Sequence, residues 1–364
     1  MLKFWLENDK LDKKKITLKD ILPLIILGVL VCAVVVAILL RGEKTKPESV
    51  SYYGLFDTET SFTDYSGMDG EEFGEICGEL YAALEGYHKL FDIYNEYDGL
   101  VNLAAVNKNA GKGAVRVPEE LVRLLEFSKE MYTLTGGEVN VAMGAVLSLW
   151  HERREAVKMG EIGTLPDSEA LARAAEHCDI DKLIVDPVNM TVELTDGEMS
   201  LDVGAIAKGY AVERLADILK AKGISGFVIN VGGNLRVVGE KPSGEGWLAG
   251  IENPKSENGL PYVKEMYISD TSFVTSGDYM RYLEVDGVRY HHIIDKDTLM
   301  PSGYFSSVSI LTEDSGLADA LSTALFSMSV AEGRALVESL SGDRRVDTVV
   351  WVGLDGEVTT FEAE

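Results

Sequence analysis

Cysteine is scarce in this chain of 364 residues: Cys32, Cys77 and Cys178 are all it has, with no CxxC or Cys/His cluster. A zinc site of ordinary spacing and a disulfide framework are thereby excluded, and a Cys77–Cys178 bridge has no support from spacing. Positive charge is also short. Sixty acidic residues stand against 34 basic ones, for a net charge of −26. No phosphate backbone is drawn to such a surface, so sequence-independent nucleic-acid binding is excluded. An anionic substrate would need a metal ion or a locally placed cation. Repeats and low-complexity tracts are missing too, and there is a single long apolar run.

That run, Ile21 to Leu40, carries no charge in twenty residues, and at helical rise it spans the hydrocarbon core of a bilayer. Six lysines (Lys3, Lys10, Lys13, Lys14, Lys15, Lys19) precede it against four acids. The positive-inside tendency then keeps the N-terminus cytoplasmic and exports the rest. A cleaved signal peptide is the rival reading, but the run is longer than a usual apolar signal core and no small-x-small site follows. Val31 before Cys32 also departs from a lipoprotein signal. The expected layout is a basic tail at 1–20, an anchor at 21–40, a stalk at 41–52 and an extracytoplasmic domain at 53–364.

In that domain, residues 70–93 place apolar side chains at helical spacing, and Pro118 opens a second helix that Gly136 and Gly137 end. Residues 183–186 and 190–194 read as paired strands. A strand–turn–helix follows in MSLDVGAIAKGYAVERLADILKAKG, then the hairpin FVINVGGNLRVVG. Further strands are expected at 247–251, 266–268, 281–285 and 307–311, and a helix at 315–329. A closing hairpin turns at Asp355-Gly356. Strands and helices mix without strict βαβ alternation, so the fold class is α+β.

Four segments carry candidate chemistry. In DVGAIAKGY, a strand ends at Asp202, Gly204 allows a tight turn, and a helix starts near Ala207 and Lys208. Free N–H groups at a helix start suit a phosphate or pyrophosphate, with Lys208 as the cation. The P-loop spacing is absent, and a plain strand–helix junction fits the same residues. In LADALSTALFSMS, Asp319 and Thr323 are four apart and share a helix face, a plausible pair of oxygen ligands for Mg2+. An acidic residue near a helix start beside an ordinary threonine fits equally. In RYHHIIDKDTLMPSG, His291 and His292 point to opposite sides of an extended segment, so one can face a cleft as a proton acceptor. Small residues in NVGGN and VTSGDY suit close backbone approach or plain turns.

Taken in order along the chain, these segments resemble the ApbE family of flavin transferases. FDTETSFT, EYDGLVNLAAVN, TGGEVNVAMGAVLSLW, DVGAIAKGYAVERL, NVGGN, TSGDY, HHIIDKDTLMPSG and ADALSTALF follow the family's sequence from about Leu55 to Glu364. The resemblance implies an ApbE-like, T-fold-like domain that uses FAD and Mg2+. It implies that Asp202 and Lys208 contact FAD, and that the Ala205 carbonyl joins Asp319 and Thr323 on Mg2+. His292 would be the base for an acceptor hydroxyl, and Ile293 would offer backbone to the flavin. Tyr97, Phe56 and the Thr135–Gly136–Gly137 turn would line the adenine or flavin pocket.

The chain also departs from the family. The TDGAFD turn is here Thr135-Gly136-Gly137-Glu138-Val139-Asn140, Lys296 stands where a proline follows HIID, and Leu299-Met300 replaces a glycine before the last proline. The expected reaction is transfer of FMN from FAD to a Thr or Ser hydroxyl of an extracytoplasmic acceptor flavoprotein, with release of AMP. The alternatives are an FAD pyrophosphatase that yields FMN and AMP, and a flavin-binding protein without turnover.

Overall fold

The computed structural model describes residues 46–253, 261–279 and 281–363. The expected tail, anchor and first stalk residues lie outside the described residues. Among the described residues no helix is long and apolar enough to cross a membrane.

The strands are β1 (Glu48–Tyr53), β2 (Glu59–Asp64), β3 (Val115–Arg116), β4 (Leu183–Asp186), β5 (Thr191–Leu194), β6 (Phe227–Val231), β7 (Asn234–Val238), β8 (Trp247–Glu252), β9 (Tyr262–Ile268) and β10 (Ser272–Gly277). They continue as β11 (Tyr282–Val285), β12 (Val288–His291), β13 (Phe305–Thr312), β14 (Val346–Gly353) and β15 (Val358–Glu362). The helices are α1 (Gly70–Phe91), α2 (Leu103–Lys108), α3 (Glu119–Leu134), α4 (Gly144–Lys158), α5 (Ser168–Ala175), α6 (Ala207–Ala221), α7 (Ser315–Phe326) and α8 (Val330–Ser339).

The main sheet runs β1-β2-β6-β7-β10-β13-β14-β15, with antiparallel neighbours throughout. Helices are inserted between strand groups rather than alternating with parallel strands, so the architecture is α+β. Every residue of β13 is buried. α6 and α7 pack side by side on one face of the sheet. On the other, Val237, Trp247, Ile251, Ile268, Phe273, Leu311 and Val350 form a second apolar cluster.

Local chemistry explains most boundaries. Asp69 caps α1 by accepting from the N–H groups of Glu71 and Glu72. α3 starts after Pro118 and ends in a turn where Gly136 and Gly137 both have positive φ. Gly232 and Gly233 also have positive φ and form the two-residue turn between β6 and β7, so the NVGGN glycines serve a hairpin. The helix expected over 315–329 stops at Phe326. Ser329 and Glu332 form a capping box that starts α8 instead, a local signal stronger than the apolar stripe. Cys77 and Cys178 are free thiols.

Candidate active site

The site has two edges, and the first is the contact of α6 with α7. Asn107 positions the segment ahead of α6: its side chain accepts the Leu201 N–H at 2.8 Å and donates to the Leu201 carbonyl at 2.9 Å. Asp202 Oδ1 then accepts the Gly204 N–H at 2.8 Å, closing the turn into the helix. Gly209 is the third residue of α6, so its N–H has no acceptor within the helix. It donates to Asp319 Oδ2 at 2.8 Å, and the Ala205 carbonyl, which precedes the helix, accepts no hydrogen bond among the described residues. Lys208 Nζ lies 3.4 Å from Asp319 Oδ1, and Asp319 is only 3% exposed.

This contact is possible only because residue 209 is glycine. A Cβ there would overlap the Ser315 carbonyl oxygen and the Asp319 Cβ. The two helices also cap each other, since Glu213 Oε2 of α6 accepts the Ser315 N–H at the start of α7, at 2.9 Å. Ser322 Oγ donates to the Asp319 carbonyl and shares a 2.8 Å bond with Ser276 Oγ, tying this part of α7 to β10. Thr323 follows Asp319 by one turn and is half-buried. Of the helix start that sequence reading offers to a phosphate, the Ala207 N–H is taken by Val203 and the Gly209 N–H by Asp319. Lys208 therefore supplies more of any anion binding here than the helix start does.

Among the described residues no group of three or more His, Cys, Asp or Glu is placed to hold a metal. A metal at this edge would meet one carboxylate, one hydroxyl and one carbonyl. Those are hard oxygen donors of the kind Mg2+ takes, leaving its other positions to water and phosphate. The buried Asp319 carboxylate and the uncommitted Ala205 carbonyl fit that ion.

The second edge is assembled from distant parts of the chain. His291 is 8% exposed; its Nε2 donates to the Ser302 carbonyl at 2.7 Å and its Nδ1 accepts the Ile293 N–H. It is a fixed structural histidine. His292 turns the other way, and both its N–H and its Nδ1–H donate to the Arg281 carbonyl, at 3.1 and 3.2 Å. A carbonyl can only accept, so Nε2 of His292 keeps its lone pair. Burial, helped by Arg281 and Arg154, pushes its pKa down to about 3. Ile293 has its N–H committed to His291, and its carbonyl accepts the Ser302 N–H.

Asp202 stays open to solvent on one side and is otherwise enclosed by protein, the surroundings of a cleft floor. Burial raises its pKa, opposed by the Gly204 N–H and by Arg154, His151 and Arg281. Arg154 also lies within electrostatic reach of Tyr94 and Arg281. The Tyr94 ring stacks on His151 with centroids 4.6 Å apart. Phe56 joins this edge through its backbone: its N–H donates to His88 Nδ1 at 3.2 Å, and its carbonyl accepts from Arg281 Nη2 at 3.3 Å. Its φ of 51° is costly for a residue with a side chain, and these two bonds hold it there.

Tyr97 donates its hydroxyl to Asp92 inside its own loop, so Tyr94 is the tyrosine of this segment that faces Asp202. Thr135 is buried and bonds within the turn, to the Met131 carbonyl and the Val139 N–H. The turn meets the histidine loop through Glu138 and Lys296, 3.3 Å apart, so two departures from the family pattern touch each other. Tyr94, His151, Arg154 and Arg281 are the site residues that sequence reading missed. His151 and Arg154 had a signal, three apart on one helix; Arg281 had none.

With this geometry in view, the comparisons with known proteins speak to descent. The model of the ApbE family matches residues 56–346. The chain belongs to the ApbE family. A protein of Treponema pallidum named FAD:protein FMN transferase is 33% identical over 287 residues, covering 73% of this chain and 76% of its own length. A Klebsiella pneumoniae protein of the same name is 31% identical, covering 68% and 77%. Among solved structures, the ApbE protein of Thermotoga maritima superposes with a TM-score of 0.74 at 27% identity, covering 88% of this chain and 97% of that one. The apo flavinyl transferase ApbE of Pseudomonas stutzeri, at 24% identity and a TM-score of 0.71, shares the fold.

Proposed function

We propose that this ApbE-family chain is an FAD:protein FMN transferase that moves FMN from FAD to a threonine or serine hydroxyl of another protein and releases AMP. The observation that carries the reading is the buried Asp319 carboxylate, which caps the start of α6 through the Gly209 N–H and lies 3.4 Å from Lys208 Nζ. Relatives bearing that enzyme name support it. Asp319, Thr323 and the Ala205 carbonyl would hold Mg2+, which when bound offsets pyrophosphate charge and the charge that develops on the leaving group.

The other roles fall to the chain's own groups. Lys208 draws the diphosphate to the α6 start. Asp202 floors the cleft. The free Nε2 of His292 accepts the hydroxyl proton as the acceptor oxygen bonds to the FMN phosphorus. The bond from that phosphorus to the bridging oxygen breaks, and AMP leaves with the electron pair. A pKa near 3 makes His292 by itself a weak base. An anion bound near Arg154 and Arg281 would relieve part of that depression.

The apolar run at 21–40 with its lysine-rich flank supports a single-pass anchor and an extracytoplasmic domain, so the acceptor is a membrane or exported flavoprotein. The test incubates full-length chain with FAD, Mg2+ and an acceptor carrying a Thr/Ser flavinylation motif. Covalent flavin fluorescence on the acceptor together with AMP is the expected result. Free FMN and AMP with an unlabelled acceptor would identify a pyrophosphatase, and FAD retained without AMP a binding protein.

A further inference from the structure

Arg154 is a cation without a counter-ion. It is half-buried on α4, one turn after His151, and makes no hydrogen bond or ion pair among the described residues. Burial lowers its pKa, and the neighbouring Arg281 adds to the effect. Arg281, which is exposed, donates to the Phe56 carbonyl and has no carboxylate partner among the described residues. Asp202 is the acid facing both, yet it lies beyond ion-pair distance and its own charge is disfavoured by burial. A half-buried guanidinium without an ion pair is costly unless an anion comes to it. Asp202 sits three residues before Ala205, in the turn that leads to Lys208. The guanidinium edge and the Ala205–Asp319 edge therefore flank the same turn.

We propose that Arg154 is a substrate-binding residue whose guanidinium takes phosphate oxygens of the dinucleotide from the side opposite Asp319, with Arg281 reinforcing it. The diphosphate is then clamped between two edges, and the guanidinium fork supplies the planar donors that phosphate oxygens accept in pairs. Tyr94 and His151 form a flat stacked wall beside this clamp, suited to an aromatic ring of the same ligand. The inference rests on the proposed use of FAD.

The test titrates full-length wild type, Arg154→Gln and Arg154→Lys with FAD and with ADP in the presence of Mg2+, at low and high salt. Thermal unfolding confirms that each variant is folded. The expected result is that Arg154→Gln weakens FAD and ADP by the same factor, about tenfold or more. Arg154→Lys recovers part of the loss, and added salt weakens the wild type more than Arg154→Gln. Unchanged FAD affinity in Arg154→Gln overturns the inference alone, as does a loss confined to FAD with ADP unaffected. Failure of the wild type to bind FAD overturns both this inference and the functional reading beneath it.

Discussion

The two edges of the site are built in different ways. The α6–α7 edge comes from two short segments, each continuous in sequence, locked by a backbone bond, a reciprocal cap and a glycine that admits no side chain. The histidine edge gathers Phe56, Tyr94, His151, Arg154, Arg281 and His292 from across the chain and holds them through a few backbone bonds. An edge whose parts are rigid before ligand arrives suits a fixed ion. An edge of unpaired cations and one buried imidazole suits a ligand that completes it. In the first the protein pairs the charged groups it brings; in the second it leaves that to the substrate.

The strongest way to break this contrast is Asp319→Asn. The amide oxygen can still accept the Gly209 N–H, so melting temperature should stay close to wild type while flavinylation falls by roughly 100-fold or more. A parallel loss of stability and activity would show that Asp319 serves packing alone. His292→Asn should cost roughly 100-fold in kcat, at the low end for general-base catalysis because the pKa is so depressed. Its Kd for FAD should barely move, and a shared loss would place His292 in binding. Gly209→Ala probes the first edge from the packing side, forcing α6 and α7 apart and destabilising the fold by about 1–3 kcal/mol in urea unfolding.

Acidity should sharpen the second edge. His292 titrates near 3 when folded and near 6.5 when unfolded. Between those values the unfolded chain binds a proton that the folded chain refuses, so stability falls as pH drops below about 6.5. His151 and His291 shift in the same direction. His177 shifts upward because it bonds Asp196, so its contribution is present at low pH and lost as pH rises through its folded pKa. Melting temperature should decline from pH 6.5 toward pH 4, less steeply in His292→Asn; a flat wild-type profile would contradict the buried, neutral imidazole. The smallest effect is expected at the Glu138–Lys296 contact. Lys296→Met should cost about 1 kcal/mol and change kcat only a few-fold, read by unfolding and by steady-state flavinylation.

The same contrast explains what could be read in advance. The α6–α7 edge was legible because its chemistry is local: AKG sets a helix start and ADALST sets two oxygens one turn apart. Even there, the path of the Gly209 N–H was invisible, since it depends on a partner 110 residues away. Helix and strand positions followed from apolar spacing, caps and turn glycines, while the helix expected over 315–329 ends at Phe326, short of the Ser329 that caps α8. The histidine edge was half legible. Adjacent histidines on opposite sides held true, but Arg281 and Tyr94 enter only because the start of the β11–β12 hairpin and the loop at 92–100 both come within electrostatic reach of Asp202. Tyr97, expected to line the adenine or flavin pocket, gives its hydroxyl to Asp92 five residues before it, while Tyr94 lies within electrostatic reach of Asp202.

The central claim is that the buried Asp319, where α7 caps the start of α6, holds Mg2+ together with Thr323 and the Ala205 carbonyl. Calorimetric titration of Mg2+ into full-length chain with FAD bound tests it most directly, comparing wild type with Asp319→Asn. One saturable site in the wild type and an affinity lower by roughly 100-fold in the variant is the expected result. Equal Mg2+ affinity in the two proteins would contradict it.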